Sequence, residues 1–187
     1  MENRLFEIRL AKEADRQQLA ALVDRGSHKL FAKMDQDAEQ MAAEQCRLFS
    51  ERLGDPQSDV LVASTAYGLV GAVYVQNGGE MAKESGCDAF LGGLFSAVRG
   101  MGIGPRLNQE ALLCAAGRGA GSVYAKLPRA NKAAIRDLQD LGFRHLGENS
   151  APSEERGLWA RMEMSLMHGS IDPAGAVPSR RRPPPAA

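Results

Sequence analysis

Apolar residues recur along this chain at two spacings, which together predict a sheet with helices packed on it. Alternating or continuous apolar runs predict strands at residues 5–10, 60–63, 69–75, 90–98, 122–127, 143–146 and 158–166. Apolar positions three and four apart predict helices that start near residue 15, span 37–53 and 104–116, and run from 131 to 142. The predicted order is βααββ, βα, βα, ββ, so we expect an α/β fold with a mixed sheet.

Turn and cap residues bound several of these elements. Asp15 and Gln18 have the spacing of a capping box at the start of the first helix, and Asn131 stands at the N-cap of the last one. Residues 66–68 end in glycine between two apolar strands, which indicates an antiparallel hairpin. The polar stretch 76–86 follows that hairpin, and we expect it to be a loop.

Composition is typical of a single soluble domain. The chain has 187 residues, 44% of them hydrophobic, and its 23 basic and 23 acidic side chains cancel. This balance gives no general attraction to nucleic acid or to anionic membranes, so we expect neither as a partner. No apolar run reaches ~18 residues, and the N-terminus lacks the apolar core of a signal peptide, so the expected location is the cytoplasm.

The last twenty residues differ in composition from the rest. Residues 168–187 are dominated by Pro, Gly, Ala and Arg, with three arginines before three prolines at 180–185. Such a segment buries too little apolar surface to offset its ordering entropy. We therefore expect one domain over residues 1–167 and a disordered tail over 168–187; a tail that docks a polyanion or a proline-binding domain is the alternative.

Cysteine and histidine suggest no metal site. Cys46, Cys87 and Cys114 are scattered without Cys-x-x-Cys spacing, so neither a disulfide framework nor a zinc site is expected, and packed, reduced thiols are the simplest interpretation. A cysteine nucleophile is the alternative, but its base cannot be identified from the sequence. His28 and His145 have no partner at an informative spacing.

The glycine-rich segment 99–104 is the strongest candidate for chemistry. It follows a predicted strand and opens a predicted helix, where unpaired backbone N–H groups and the positive end of the helix dipole attract an anion. The segment therefore predicts a phosphate or pyrophosphate cradle, with an ordinary strand-to-helix turn as the alternative. A Rossmann fingerprint is excluded because Pro105 stands where its third glycine belongs, and no Gly-Lys-Ser/Thr closes a P-loop.

Three local matches give the chain a resemblance to the GCN5-related N-acetyltransferase superfamily over roughly residues 6–167. The family's (Arg/Gln)-x-x-Gly-x-(Gly/Ala) signature falls on Arg99, Gly102 and Gly104, with Gly100 and Ile103 as in many members. Asn131, then 134–135 and 141–143, resemble the family's Asn-x-x-Ala-Ile block that ends in Gly-Phe, and 69–71 resemble its third strand. The resemblance implies a central, mostly antiparallel mixed sheet flanked by helices.

It also implies an activity and a set of binding residues. Members transfer an acyl group from acyl-coenzyme A to an amine, so the implied co-substrate is acetyl-coenzyme A and the implied acceptor is a primary amine of a small molecule or protein. The amine attacks the thioester directly, and no protein nucleophile is needed. The implied residues are Arg99, Gly100, Met101, Gly102, Ile103 and Gly104 at the pyrophosphate, Leu94, Phe95 and Ser96 along the pantetheine arm, and Asn131 as a further bond to that arm.

The chain departs from the family at the catalytic positions. Leu138 stands where the family commonly has a tyrosine that protonates the leaving thiolate, and residues 92–93 are glycines at positions that are often bulky or acidic. Asp88 is a candidate base that acts through water, or else a turn residue. Tyr124 is a candidate replacement acid, or else a packed strand tyrosine. The catalytic residues therefore stay unknown from the sequence.

These departures leave two further hypotheses. In the first, the chain is a coenzyme A-binding or regulatory module that has lost turnover. In the second, it is an acyltransferase for longer acyl chains, in which the glycines at 92–93 widen the slot beside the thioester. Neither the acceptor nor the oligomeric state can be predicted from the sequence.

Overall fold

A single seven-stranded sheet organises the chain in a computed structural model that describes residues 5–33, 37–146 and 159–166. The strands are β1 (Glu7–Leu10), β2 (Ser58–Thr65), β3 (Gly68–Asn77), β4 (Ala89–Ser96), β5 (Ser122–Pro128), β6 (Arg144–His145) and β7 (Trp159–Ser165). The helices are α1 (Arg16–Phe31), α2 (Ala38–Gly54), α3 (Gly79–Ser85), α4 (Ile103–Gly117) and α5 (Lys132–Asp140), and a short 3-10 turn (Glu13–Asp15) precedes α1. The fold is thus a mixed α/β fold with a mostly antiparallel sheet flanked by helices.

The strands are ordered β1-β2-β3-β4-β5-β7-β6, and β4 and β5 form the one parallel pair among them. A parallel pair needs a crossover, which α4 provides by running back along the sheet from the end of β4. Pairing between β4 and β5 stops at Leu91 and Ala125, although β4 continues to Ser96 and β5 to Pro128. The two strands therefore separate into a wedge-shaped opening in the middle of the sheet.

Alternate residues of each strand point to opposite faces, so the core has two parts. On one face, α4 and α5 pack against residues such as Val73, Leu91 and Met162. On the other face, α1 and α2 cover the aromatic side chains of Tyr74 and Phe90. Burial of each large apolar side chain contributes ~1.5–3 kcal/mol, so the two faces hold the strands in register on both sides of the wedge.

The predicted order of elements is confirmed, with one helix that the sequence analysis missed. Residues 76–86 were expected to form a loop, and that expectation was wrong, because β3 continues to Asn77 and α3 follows at once. Gly78 and Gly86 adopt positive φ at the two ends of this short helix, and Ala82 is its buried residue. Glycines that normally indicate a loop act here as helix boundaries.

The capping box expected at Asp15 and Gln18 is also absent. The Asp15 carboxylate accepts a bond from the Lys12 N–H (2.7 Å) and two from Arg9 (2.6 and 2.9 Å), and the Arg9 bonds lower its pKa to about 2. The Gln18 side chain instead accepts a bond from the Leu69 N–H (3.3 Å) on the hairpin. These contacts take the place of the two hydrogen bonds that a capping box would form.

The hairpin is confirmed, as is Asn131 as the N-cap of α5. The predicted tail at 168–187 lies outside the described residues. Among the helices that the structure describes, none combines the length and the apolar character needed to cross a membrane.

Candidate functional site

A cavity of about 320 Å³ occupies the wedge between β4 and β5. Its walls come from both faces of the sheet: α4 and α5 on one side, α1 and α2 on the other, and β3, β4 and β5 between them. The cavity therefore extends through the sheet from one face to the other.

The glycine-rich segment follows the end of β4, and none of its residues is among the described residues that line the cavity. It adjoins the cavity through Gly104, where a Cβ would lie 3.5 Å from the side chain of Leu94, which does line the cavity. Gly100 has φ +79° and Gly102, the N-cap of α4, has φ +69°, and no atom lies within 4 Å of the position that a Cβ would take at either residue. This is open backbone at a helix N-terminus, the arrangement that binds anions. Arg99 is exposed here, whereas the Ile103 side chain is buried in the core, so Ile103 can offer a ligand only its backbone.

A carboxylate lies beside the same helix terminus. The Asp137 Oδ2 atom of α5 is 3.8 Å from where a Cβ would stand on Gly104. Burial and the nearby Asp140 raise the pKa of Asp137. The side of the terminus that faces α5 is therefore occupied, and the open side is that of Gly100 and Gly102.

Strand β4, which forms one wall of the cavity, contains a bulge where its pairing with β3 is interrupted. Phe95 pairs with Ala72 and Gly92 pairs with Tyr74, so both Gly93 and Leu94 oppose the single residue Val73. A bulge leaves one backbone group out of the ladder, here beside the cavity that Gly93 and Leu94 line. Leu94 and Phe95, predicted along the arm, also line the cavity. The exposed Ser96, predicted with them, donates its hydroxyl to the Val98 carbonyl (2.7 Å).

The space beside the two β4 glycines is filled by aromatic rings. A Cβ on Gly92 would lie 2.6 Å from the Tyr74 hydroxyl oxygen, and one on Gly93 would lie 2.5 Å from the Phe49 ring. The expectation that these glycines widen a slot for longer acyl chains is therefore wrong. The glycines instead allow two rings to lie directly on the strand.

Tyr74 is a functional candidate that the sequence analysis missed. Its side chain is buried and lines the cavity, and its ring packs edge-on against Phe49 at 5.1 Å between centroids. No group among the described residues hydrogen-bonds its hydroxyl, which stands over Gly92 where β4 and β5 begin to separate. Burial raises the pKa of Tyr74 to about 12, so the hydroxyl keeps its proton at neutral pH.

The two catalytic candidates from the sequence lie away from the cavity. The Asp88 carboxylate accepts bonds from the Gly121 N–H (2.9 Å) and the Ser122 hydroxyl (3.0 Å), at the end of β4 opposite the glycine segment. Tyr124 is buried and its hydroxyl accepts a bond from Arg161 (2.9 Å). Asp88 thus behaves as a turn residue and Tyr124 as a packed tyrosine, and neither is among the described residues that line the cavity.

The α5 wall contains one position that matches the family pattern, Asn131, and one that departs from it, Leu138. The Asn131 side-chain oxygen accepts the Ala134 N–H (3.3 Å), and the residue lines the cavity, so its amide NH₂ is available to a ligand. Leu138 is buried in the same wall and has no group that could transfer a proton.

Asn108 is the least expected residue of the site. It is 1% exposed, it lines the cavity from α4, and neither its side-chain oxygen nor its nitrogen has a hydrogen-bond partner among the described residues. Buried amides without partners are rare and costly. The sequence did contain a signal, because Asn108 is the polar residue on a helix face that buries Leu107, Ala111 and Leu112.

Charged side chains line the α2 side of the cavity. Glu44 accepts two bonds from Arg47 (2.6 and 2.8 Å), which lower its pKa. Arg52 lies over the Tyr74 ring at 5.9 Å, and the Lys126 ammonium lies 5.3 Å from the centre of the Trp159 ring. Sequence patterns did not reveal this group, because its members come from α2, β5 and β7.

The cysteines and histidines take no part in this site as described. The three cysteines are free and partly buried, and burial raises the pKa of both Cys46 and Cys114. His28 lies 3.4 Å from Asp24 on the surface of α1, and His145 is exposed on β6.

Comparison with solved structures identifies the fold. No protein-family model matches the sequence, and a search of curated proteins found no match. The chain is similar to the ribosomal-protein-alanine N-acetyltransferase of Brucella melitensis, with 25% identity over 86% of this chain and 99% of that one, at a TM-score of 0.61. It is also similar to the PaiA N-acetyltransferase of Thermoplasma acidophilum in complex with coenzyme A, with 16% identity over 86% and 98% of the two chains, at a TM-score of 0.69.

A third structure was solved with acetyl-coenzyme A. It is YncA of Salmonella typhimurium, which has 18% identity over 91% of this chain and 99% of that one, at a TM-score of 0.63. The similarity covers nearly the whole of each of these three relatives. The chain therefore has the fold of GCN5-related N-acetyltransferases, which is the fold that the resemblance of its glycine signature and asparagine block implied.

Proposed function

We propose that this protein is an N-acyltransferase that moves an acetyl group from acetyl-coenzyme A to a primary amine. The observation that carries the proposal is the wedge between β4 and β5, whose cavity is lined by the buried Tyr74 and by Leu94, the side chain that lies against Gly104 at the open, glycine-rich helix N-terminus. Such a wedge fits a long ligand with an anionic end and a reactive end.

The residues along the wedge fit the two ends and the middle of that ligand. The backbone at Gly100–Gly104 would hold the pyrophosphate, while the Asn131 and Asn108 amides would bond the arm. Asn108 lies five residues beyond the start of α4, about 7.5 Å along a helix that rises ~1.5 Å per residue. An extended pantetheine arm reaches its first amide roughly 7 Å from the phosphate, given ordinary bond lengths. The unpaired Asn108 amide is therefore at the depth where the arm carries polar groups.

The chemistry asks little of the protein beyond binding and proton transfer. Acetyl-coenzyme A supplies an acyl group already activated as a thioester, which an unprotonated amine can attack directly. A backbone N–H at the Gly93–Leu94 bulge would stabilise the negative charge that develops on the carbonyl oxygen. As the C–N bond forms and the C–S bond breaks, the nitrogen loses one proton and the sulfur gains one.

Tyr74 is our candidate for the group that protonates the sulfur. Its hydroxyl is protonated at neutral pH and lines the cavity at the closed end of the wedge. It would take over the role for which Leu138 is unsuited, and Gly92 provides the space for it. The phenolate would recover its proton from the reacting amine, through water, so that no proton is gained or lost overall.

A coenzyme A-binding module without turnover is the second candidate. Glu44 is the one carboxylate among the described residues that line the cavity, and Arg47 already holds it. A free base is therefore absent from the described wall, although an acceptor that arrives as a free amine does not need one.

Titration calorimetry with coenzyme A and acetyl-coenzyme A, followed by a thiol-release assay with a panel of primary amines, tests both candidates. Binding together with acetyl-dependent thiol release would support the enzyme. Binding without release to any amine would favour the module. If the folded protein binds neither compound, both candidates fail.

Replacing Asn108 with leucine should change stability and binding in opposite directions. Removal of a buried amide without partners relieves a penalty of ~1–3 kcal/mol, which raises the melting temperature by ~2–4 °C per kcal/mol in a domain of this size. Loss of a hydrogen bond to the arm should weaken coenzyme A binding about tenfold. Thermal unfolding and calorimetry on Asn108→Leu measure the two effects.

Ser27→Ala provides the matched control. The Ser27 hydroxyl is fully buried on α1, has no partner among the described residues, and does not belong to the cavity wall that the structure describes. Its removal should also raise the melting temperature but leave coenzyme A binding unchanged. A fall in the melting temperature of Asn108→Leu with normal binding would make Asn108 a structural residue and contradict the prediction.

A further inference from the structure

Arg52 lines the cavity and forms no ion pair among the described residues. Glu44, Gln45, Leu48 and Arg52 line the cavity from one face of α2, at the spacing of successive helical turns. The Arg52 Nε atom is buried without a hydrogen-bond acceptor, and its side chain forms no ion pair with any described carboxylate. A buried arginine nitrogen needs an acceptor, which here has to come from a ligand or from water.

Two acidic residues near Arg52, Glu44 and Asp55, already accept hydrogen bonds from other groups. Glu44 is held by Arg47. Asp55 accepts bonds from the Ser58 hydroxyl (2.6 Å), from a backbone N–H (2.9 Å) and from the Gln76 side chain (3.0 Å). These bonds, together with the nearby charge of Arg52, lower the pKa of Asp55. Neither carboxylate forms an ion pair with Arg52, so its guanidinium is left to bind a ligand.

Arg52 is also close to the reactive end of the wedge. Its Cζ atom lies 5.9 Å from the centre of the Tyr74 ring, and the hydroxyl of that ring stands over Gly92. A group bound to Arg52 would thus lie beside the ring whose hydroxyl is our candidate proton donor. Lys126 lines the same cavity and adds a second positive side chain.

We propose that the amine acceptor also carries a carboxylate, and that Arg52 binds it. This inference rests on the proposed acyltransferase function and narrows its acceptor to a small amino acid. The planar guanidinium accommodates a carboxylate with two parallel hydrogen bonds. Arg52 lies over the ring that carries the Tyr74 hydroxyl, so the amine and the carboxylate of the acceptor would be only a few bonds apart. A polyamine would meet the positive charge of Arg52 and is disfavoured.

Matched acceptors that differ only in the carboxylate test the inference. Thiol release is measured with an α-amino acid and its carboxamide, for example phenylalanine and phenylalaninamide, and with β-alanine and its amide. The parent should prefer at least one acid over its amide by tenfold or more in kcat/KM. Basicity alone would give the opposite preference. The amine of the amide is less basic than that of the acid, so at neutral pH a larger fraction of it is in the unprotonated form that attacks the thioester.

Arg52→Gln should abolish the preference for the acid and keep acyl transfer to the amide. Arg52→Lys keeps the charge without the planar fork and should retain part of the preference. Arg25→Gln, which removes an exposed arginine of α1 outside the described cavity wall, should leave the preference unchanged. Equal rates for acid and amide in the parent, or a preference that survives in Arg52→Gln, would overturn the inference while leaving the acyltransferase intact.

Binding provides a readout that does not depend on turnover. Thermal shift measured with each acid and each amide, in the presence of saturating coenzyme A, reports carboxylate recognition directly. Stabilisation by an acid that is lost in Arg52→Gln would support the inference even if no amine is acylated, in which case the proposed activity alone fails. No difference between acid and amide would contradict it.

Discussion

Replacing Gly102 with aspartate should weaken coenzyme A binding by about 100-fold or more, equivalent to ~2.7 kcal/mol. Gly102 is the N-cap of α4 and lies on the open side of the glycine segment, so a carboxylate there would face the pyrophosphate. Two unit charges ~4 Å apart repel by ~1–4 kcal/mol between bulk water and a protein surface, and a pyrophosphate carries more than one charge. Calorimetry on folded Gly102→Asp checks the expected loss.

Two variants separate charge from backbone strain in this test. Gly102 has φ +69°, a conformation that aspartate and asparagine tolerate better than most residues. Gly102→Asn has the shape of the aspartate without its charge and should bind more tightly than Gly102→Asp. Gly119 follows α4 at φ +89° with open space around it, so Gly119→Asp should have a similar effect on stability and none on binding. Equal loss in both aspartate variants would show that the cradle has been misplaced.

The glycine turn at the start of α4 could be predicted because its signal is local. Residues 99–104 are contiguous, and the strand before them and the helix after them can be recognised from neighbouring apolar positions. The same holds for the Asn131 cap, whose bond reaches only three residues along the chain. Each of these features depends on a short segment, so a single sequence was sufficient to predict it.

The catalytic end of the site could not be predicted in the same way. The contact between Tyr74 and Gly92 depends on the register of β3 against β4, and a shift of one residue would turn Tyr74 to the opposite face. Asn108 could be seen as a polar residue on an apolar helix face, but only the packed structure shows that it lacks partners. Sequence analysis instead selected Asp88 and Tyr124, whose residue types suit catalysis but whose side chains are engaged elsewhere.

The site therefore divides along the sheet into two halves with different chemistry. On the α4 and α5 side, backbone N–H groups and two asparagine amides suit a long, polar, anionic co-substrate. On the α2 side, Arg52 and Lys126 are set among aromatic rings and suit a smaller ligand. Tyr74 lines the cavity from β3, between the two halves, and under the proposed function its hydroxyl would be available to the reacting groups of both.

Removal of that hydroxyl is the change with the largest expected effect on rate. Tyr74→Phe should lower kcat for acyl transfer by about 100-fold or more, because positioned proton donors contribute ~10²–10⁴-fold. Binding of coenzyme A and thermal stability should change little, since no described residue hydrogen-bonds the hydroxyl and the ring packing against Phe49 is retained. Steady-state thiol release, analysed for kcat and KM separately, provides the measurement.

Two further variants make the Tyr74 result specific. Tyr67→Phe removes the same hydroxyl from a fully exposed position in the hairpin turn and should have no effect. Gly92→Ala keeps the Tyr74 hydroxyl but adds a Cβ that would stand 2.6 Å from it, so the ring must move and kcat should fall with coenzyme A binding preserved. If Tyr74→Phe retains kcat within about threefold, a solvent molecule protonates the thiolate, and the role of Gly92 is to allow the ring to pack rather than to position a proton donor.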